Sequence, residues 1–291
     1  MTTTTIGELA GLWRYPVKSM QGEALASASQ GRDGVAGDRG WALRDEKAGE
    51  IRGAKKMPLL MRCSASYSSA SEESGIGPVR MILPDGSSLD SDAPDVNGVL
   101  SRLLGREVTL WPRQPADNTT HYRRGAPDNE DFEEEIRQMF SRLPGEALPD
   151  LSVFPEELME HTSPPGTYFD AFPLHLLTTA SLEHMAGLNP AAAWEPARFR
   201  PNLLIRTVDD QQGLVEAGWQ GARLKIGEVE LDSLLPTVRC GMTTRATAGL
   251  ADDPSVLRSI VADAGQDLGS YAGVSRAGEI KLGDTVALVT D

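Results

Sequence analysis

Leu224-Lys225-Ile226-Gly227-Glu228-Val229-Glu230-Leu231 alternates apolar and polar residues on both sides of a Gly-acid pair, and Ile280-Lys281-Leu282-Gly283-Asp284-Thr285-Val286-Ala287-Leu288 repeats the design. Period-two alternation puts one side of each strand in a core and the other in water, and a glycine at the turn accepts the positive φ of a tight hairpin. Two ribbons of one design predict a β-barrel assembled from hairpins rather than a repeat array. Between them, Asp253-Pro254 reads as an N-cap followed by proline at the first helical position, with Leu257, Ile260 and Val261 as an apolar stripe that runs to Gly265. A helix therefore flanks the barrel.

Upstream, Leu176-Leu177-Thr178-Thr179-Ala180-Ser181-Leu182-Glu183-His184-Met185 reads as a buried strand end turning into a helix. Hydroxyls at such a turn cap the helix, or they join its free N–H groups in binding a phosphate at the positive end of the dipole. Before it, residues 144–173 carry six prolines and read as an ordered, irregular connection of the kind that borders a site. Phe132, Ile136, Met139, Phe140 and Leu143 recur at helical spacing, Glu133 can pair with Arg137, and Glu133, Glu134 and Glu135 read as a solvated first turn. From Ile6 to Tyr67 the chain shows short strands punctuated by glycine turns, with Leu59–Tyr67 strand-like and Ser68–Gly77 a polar hairpin tip before Val79–Leu83. Asp95 caps a short helix that Gly105 stops, and Val108–Trp111 closes the first lobe.

The 291 residues can bury a substantial core without disulfides, as one large or two modest domains. With 42 acidic against 28 basic residues the net charge is −14, which disfavours nucleic acid and anionic membranes as partners. Only Cys63 and Cys240 are present, so a four-cysteine iron–sulfur cluster or zinc ribbon cannot form. Met1–Ile6 lacks the basic and apolar regions of a secretory signal and no apolar run approaches a membrane span, so the expected location is cytoplasmic. His121, His161, His175 and His184 show no i, i+4 metal spacing and read as surface or packing residues.

Cys240 lies in Pro236-Thr237-Val238-Arg239-Cys240-Gly241-Met242-Thr243-Thr244, a polar turn after an amphipathic strand, and a guanidinium beside a thiol favours the thiolate that binds soft metals or attacks electrophiles. Cys63, in an apolar strand, reads as packing. Three further segments accompany Cys240: Tyr15-Pro16-Val17-Lys18-Ser19, Gly37-Asp38-Arg39-Gly40-Trp41 and Arg198-Phe199-Arg200-Pro201-Asn202. Read alone, Lys18 is a surface lysine, Asp38-Arg39 an ion pair and Arg200-Pro201-Asn202 a strand entrance. Taken together and in this order, the four segments resemble the MOSC-domain family, whose nearest functional members are the mitochondrial amidoxime-reducing component and bacterial reductases of N-hydroxylated bases.

That resemblance implies an α+β, β-rich fold: a MOSC-type β-barrel with flanking helices packed against an N-terminal β-barrel-like lobe. It divides the chain into an N-terminal domain at 1–112, a helix and Pro-rich connection at 113–173, and a MOSC domain at 174–291. It implies molybdenum cofactor (molybdopterin and Mo), with Cys240 as metal ligand and catalytic residue, and Lys18, Ser19, Arg39, Thr178, Thr179, Ser181, Arg200, Asn202 and Arg239 as cofactor-binding residues. Many relatives read Pro-Cys-Pro-Arg-Cys where this chain has Pro236-Thr237-Val238-Arg239-Cys240, so the ligand position survives while a proline before the arginine is lost. The implied activity is removal of oxygen from a small N-hydroxylated substrate, an amidoxime or N-hydroxy base. Electrons would come from a ferredoxin, flavodoxin or cytochrome type of electron-transfer protein and its reductase, because no G-x-G-x-x-G fingerprint or iron–sulfur ligand set is present. Thiolate chemistry leaves two alternatives: a sulfurtransferase that carries a Cys240 persulfide, and a carrier that binds the cofactor without turnover.

Overall fold

The computed structural model describes residues 2–68, 76–208, 211–247 and 249–290. The tip expected at Ser68–Gly77 falls largely outside them, but the strands it joins, Ser64–Tyr67 and Val79–Ile82, pair antiparallel as that reading requires. Two compact units form, one from Met1–Arg14, Ala24–Ala36 and Phe172–Asp291, the other from Tyr15–Glu23 and Gly37–Ala171. The divisions at 112 and 173 follow the chain, whereas the compact units interleave, because N-terminal strands pair with C-terminal ones.

The first unit is a closed barrel of seven strands: β1 (Thr2–Arg14), β2 (Leu174–Thr178), β3 (Leu203–Thr207), β4 (Arg223–Ile226), β5 (Val229–Val238), β6 (Asp267–Arg276) and β7 (Thr285–Thr290). The order is β3-β2-β6-β5-β4-β7-β1, and β1 pairs again with β3 to close it. The pairing is antiparallel except between β2 and β3, which run parallel. Strand alternation then sorts the side chains. Leu9, Leu174, Leu176, Leu203, Ile205, Leu224, Ile226 and Leu231 fill one core, while Leu177 and Leu268 face the other way and pack with Leu182, Phe199, Val256 and Ile260 from the flanking helices.

The hairpin expected at Gly227-Glu228 forms, with Ile226 opposite Val229. Its echo does not. Gly278–Lys281 pairs with Ser27–Gly31, and β7 pairs with β1 and β4. The Gly283-Asp284 turn exists, but its flanks are drawn apart because Leu282 N–H donates to Ala26 O and Gly283 N–H to Leu9 O. Distant strands have taken the hydrogen bonds a local hairpin would have used. The helix after Asp253-Pro254 spans Pro254–Asp263, and Asp253 Oδ1 accepts the Ser255 N–H at 3.0 Å, as its sequence dictates.

The second unit carries two three-stranded antiparallel sheets, one of Val108–Pro112, Trp41–Asp45 and Glu50–Ile51, the other of Ser64–Tyr67, Val79–Ile82 and Ser88–Asp90. Helix Val96–Leu104 ends at Gly105 in the left-handed conformation, and helix Phe132–Phe140 carries the Glu133–Arg137 pair at 2.9 Å. Two expectations change here. Residues Pro58–Arg62 form a 3-10 turn rather than strand, nucleated by proline at its start. Glu135 is buried rather than solvated, since Lys56 donates to it at 3.1 Å and the Asn129 N–H at 3.1 Å. Among the described residues no helix is long and apolar enough to cross a membrane.

Barrel closure generates a prediction. A Cβ on Gly7 in β1 would lie 2.1 Å from the Arg206 carbonyl oxygen of β3 across the seam, at a residue where β1 is bulged against β7. Gly7→Ala must shift backbone, so we expect it to lower stability by about 1–3 kcal/mol, read as a lower urea midpoint with an unchanged slope. An unchanged midpoint would show that the seam is looser than described.

Candidate functional site

In the second unit the two motifs around Lys18 and Arg39 meet, since Val17 bridges to Trp41 and Lys18 N–H donates to Trp41 O. Asp38 is buried and anchors this turn, accepting the Tyr15 N–H at 2.7 Å and pairing with Arg39, whose guanidinium lies 4.7 Å from the Tyr15 ring centroid. Ser19 Oγ accepts the Ala54 N–H at 2.9 Å, and a Cβ on Gly53 would come within 2.6 Å of that oxygen. The Lys18 ammonium is buried and donates to Asp170 Oδ1 at 2.7 Å, to Tyr168 O at 2.8 Å and to Ser163 Oγ at 3.4 Å. Burial works against the Asp170 charge, but Lys18, Lys55 and Arg39 hold its carboxyl well below the usual range. Sequence reading passed over Asp170. Its signal was an acid inside the apolar run Tyr168-Phe169-Asp170-Ala171-Phe172.

In the barrel unit, β5 is bulged three times against β6 before it delivers Arg239 and Cys240. Bulges re-aim side chains, and they recur beside active sites. Cys240 is half-buried and a free thiol, and its carbonyl accepts the Thr243 N–H and hydroxyl, starting a 3-10 turn over Gly241–Thr244. Arg239 donates to Phe199 O at 2.9 Å and meets His175 Nε2 at 3.3 Å, with the Phe199 ring centroid 5.5 Å from its guanidinium carbon. His175 is thus packing of a specific kind: it braces the arginine next to the thiol. Asn202, 1% exposed, donates from Nδ2 to Trp13 O at 3.3 Å and accepts the His175 N–H on Oδ1 at 3.2 Å. Arg200 adopts a left-handed backbone as the cap of helix Pro196–Phe199. Arg198, in that helix, is buried; its Nε and Nη2 donate to Ala193 O and Ala251 O, while Nη1 has no partner among the described residues.

Thr178, Thr179 and Ser181 stand where β2 turns into helix Thr179–Leu188. Thr178 Oγ1 caps the helix by accepting the Ser181 N–H at 3.1 Å, and Thr179 Oγ1 accepts the Thr207 N–H at 3.3 Å. The Thr178 and Ser181 hydroxyls both donate to Glu216 Oε2, at 2.7 and 2.5 Å. Glu216 is 2% exposed, its Oε1 has no partner among the described residues, and it lines a cleft of about 70 Å³ with Ser181, Pro236 and Asp267. Burial raises its carboxyl above the ordinary value, against the two hydroxyls. The clue to it in the sequence was again an acid among apolar neighbours, Leu214-Val215-Glu216-Ala217.

Among the described residues, five other than glycine have positive φ, and three of them are Ser19 (71°), Arg39 (46°) and Arg200 (55°). Such backbone costs on the order of 1–3 kcal/mol per residue unless the surroundings enforce it, and it clusters at functional sites. A fourth, Gln266, accepts the Arg239 N–H. Cys63 contrasts with Cys240: it is buried, donates to Leu59 O at 3.7 Å, and desolvation pushes its thiol up to about 11. No group of three or more His, Cys, Asp or Glu side chains among the described residues is arranged to hold a metal ion.

Residues 6–114 match the MOSC N-terminal beta barrel domain and residues 163–287 the MOSC domain. Mitochondrial amidoxime reducing component 2 of Macaca fascicularis is 25% identical over 311 residues, covering 97% of this chain and 83% of its own. Mitochondrial amidoxime-reducing component 1 of Mus musculus is 24% identical over 315 residues, covering 98% and 83%. Among solved structures, the YUAD protein from Bacillus subtilis aligns over 99% of this chain and 97% of its own, with 10% identity and a TM-score of 0.43.

The Glu216 arrangement fixes a pH dependence. A carboxyl raised in the folded state above its ordinary value of 4.5 binds its proton more tightly there than when unfolded. Its contribution to stability is therefore full below that value and is lost as pH rises through the folded pKa. Glu216→Gln keeps an acceptor for both hydroxyls and removes the titration. Its melting temperature should gain on wild type as pH rises from the ordinary value to about 8. Parallel curves would show that Glu216 does not titrate in the fold.

Proposed function

We propose that this chain, which belongs to the MOSC-domain family, is a molybdenum-cofactor-dependent reductase that removes oxygen from small N-hydroxylated compounds with electrons from a separate protein. The observation that carries the reading is the contrast between its two thiols. Cys63 is sealed in apolar surroundings, while Cys240 is free and half-buried at the end of a bulged barrel strand within the matched MOSC domain. The curated relatives are named for amidoxime reduction.

The residues present fit the cofactor in three respects. Cys240 offers one soft ligand of the kind molybdenum takes. Arg198 Nη1 is a buried donor that lacks an acceptor among the described residues. Lys18 and Arg39 carry charged donors of the kind that bind phosphate, and a phosphate there would have to share them with Asp170 and Asp38. When bound, the cofactor supplies the oxygen-abstracting redox chemistry. The protein's part is to bind and orient it. Arg239, braced by Phe199 and His175, fixes the backbone that presents Cys240. Asn202 holds the strand entrance beside Arg200. Thr178 and Ser181 act through Glu216, so their role is to shape the strand-to-helix turn; a phosphate there would have to take their hydroxyls from that carboxyl. Thr179 tethers β3. With two cysteines in the chain and neither a four-thiolate cluster site nor a dinucleotide fingerprint, the electrons come from a ferredoxin, flavodoxin or cytochrome type of donor and its reductase.

Protein made in a molybdenum-replete host should carry close to one molybdenum per chain by elemental analysis. Cys240→Ala should fall below about a tenth of that, since loss of even an outer partner of a metal ligand costs roughly 10–100-fold in affinity. Full molybdenum in the variant would refute the ligand assignment, and a Cys240 persulfide in a molybdenum-free wild type would establish sulfur transfer instead. Loaded protein should reduce an amidoxime with reduced viologen and not with NADPH alone, and Cys63→Ser should leave that activity intact. Loaded protein that is inactive across a range of N-hydroxylated compounds and donors would mark the chain as a carrier.

A further inference from the structure

Glu216, carried by the 3-10 turn Val215–Trp219, uses only half of its carboxylate within the fold. Its Oε2 accepts the Thr178 and Ser181 hydroxyls at 2.7 and 2.5 Å, which ties it to the start of helix Thr179–Leu188. Its Oε1 has no partner among the described residues, although the residue is 2% exposed. Buried polar groups find partners in the great majority of cases, so an oxygen left over beside an opening points to a ligand. The opening is the cleft of about 70 Å³ that Glu216 lines. Among its lining residues Ser181, Glu216 and Leu268 are buried, whereas Ala217 is exposed and Pro236 and Asp267 are half-buried, so it reaches solvent on one side. No lysine, arginine or histidine among the described residues lines it. Burial raises the Glu216 carboxyl above its ordinary value, and a cation entering the cleft would relieve that cost.

We propose that this cleft binds a small organic cation with N–H groups, an alkylammonium or alkylguanidinium, which donates to Glu216 Oε1 while its carbon packs on Leu214, Pro236 and Leu268. Size and lining both favour that class. The volume is about the share of two waters in the liquid, which limits the ligand to a head of a few heavy atoms. A hard metal ion takes six or more oxygens. Here the side-chain oxygens come from Glu216, Ser181 and Asp267, and the Ser181 hydroxyl is already turned to Glu216. An organic cation needs less: one charge-assisted hydrogen bond to a carboxylate, and apolar walls for its carbon. Asp267 is the other titratable side chain in the lining, on its half-buried side.

The test is calorimetric titration of the full chain with methylammonium and with methylguanidinium chloride, in sodium chloride of fixed ionic strength near pH 8. Cys240 does not line the cleft, so the titration needs no cofactor and its outcome is separate from that of the molybdenum assay. Wild type should bind at least one of the two at one site per chain. Tetramethylammonium, which has the charge without an N–H, should bind at least about tenfold more weakly, and Glu216→Gln should weaken the bound cation by about tenfold or more, as when a hydrogen bond to a charged group is lost. Lowering the pH to about 5 should weaken binding in wild type, because Glu216 takes up a proton, and leave the residual binding of Glu216→Gln level. Ala217→Leu keeps the carboxylate and narrows the exposed side of the cleft. It should weaken binding as well, and it stands in for Glu216→Gln if thermal melting shows that variant unfolded. No binding by wild type, binding that tetramethylammonium matches, or binding that neither variant weakens would overturn the proposal; the second result would trace the cation to the surface charge of a chain of net charge −14.

Discussion

The seam between β1 and β3 is the constraint on which the barrel unit depends, and Asn202 is its knot. Trp13 N–H donates to Asn202 O, the Asn202 side chain reaches back to Trp13 O, and its other end accepts the N–H of His175 at the start of β2. One buried amide thereby joins the N-terminal strand to two strands more than 160 residues away in sequence. His175 carries the arrangement onward, since its ring braces Arg239 beside Cys240. A buried amide left without partners costs about 1–3 kcal/mol per group, so the seam and the thiol's support are energetically one structure. The role that family resemblance implies for Asn202, contact with a cofactor, is here accompanied by a structural one already in place.

The same economy appears at the other hydroxyl and cationic positions. Thr178 and Ser181 are drawn in by Glu216, and Lys18 by Asp170, so each of these donor sets already holds a carboxylate from the chain itself. Buried donors cannot stand idle. In a protein of net charge −14 the acids to satisfy them are plentiful, and two of them occur within otherwise apolar sequence. The positive φ values at Ser19, Arg39 and Arg200 show that these positions are held in conformations their side chains do not favour.

What was legible in the sequence was local. The Gly227-Glu228 hairpin, the Asp253-Pro254 helix start, the Gly105 stop and the strand-to-helix turn at Thr178 all follow from chemistry within a few residues, and all are present. The ribbon at Gly283-Asp284 carries the same local code and does not pair with itself, because Ala26 and Leu9 compete for its backbone from far along the chain. Pairing at that distance leaves no trace in a window of residues. The motif residues of the candidate site stood out as a set only through resemblance, and Asp170, Glu216 and the bracing role of His175 did not stand out at all. Each acts on a partner at least 35 residues away, and the only sign of the two acids was a charge out of place in an apolar run.

The central claim is a molybdenum held by Cys240, and X-ray absorption at the molybdenum edge addresses it most directly. Fine structure from wild-type protein should require one sulfur neighbour beyond the dithiolene pair of the cofactor, and Cys240→Ser, loaded in the same host, should lose that neighbour in favour of a lighter scatterer. Identical sulfur shells in the two proteins would contradict the account.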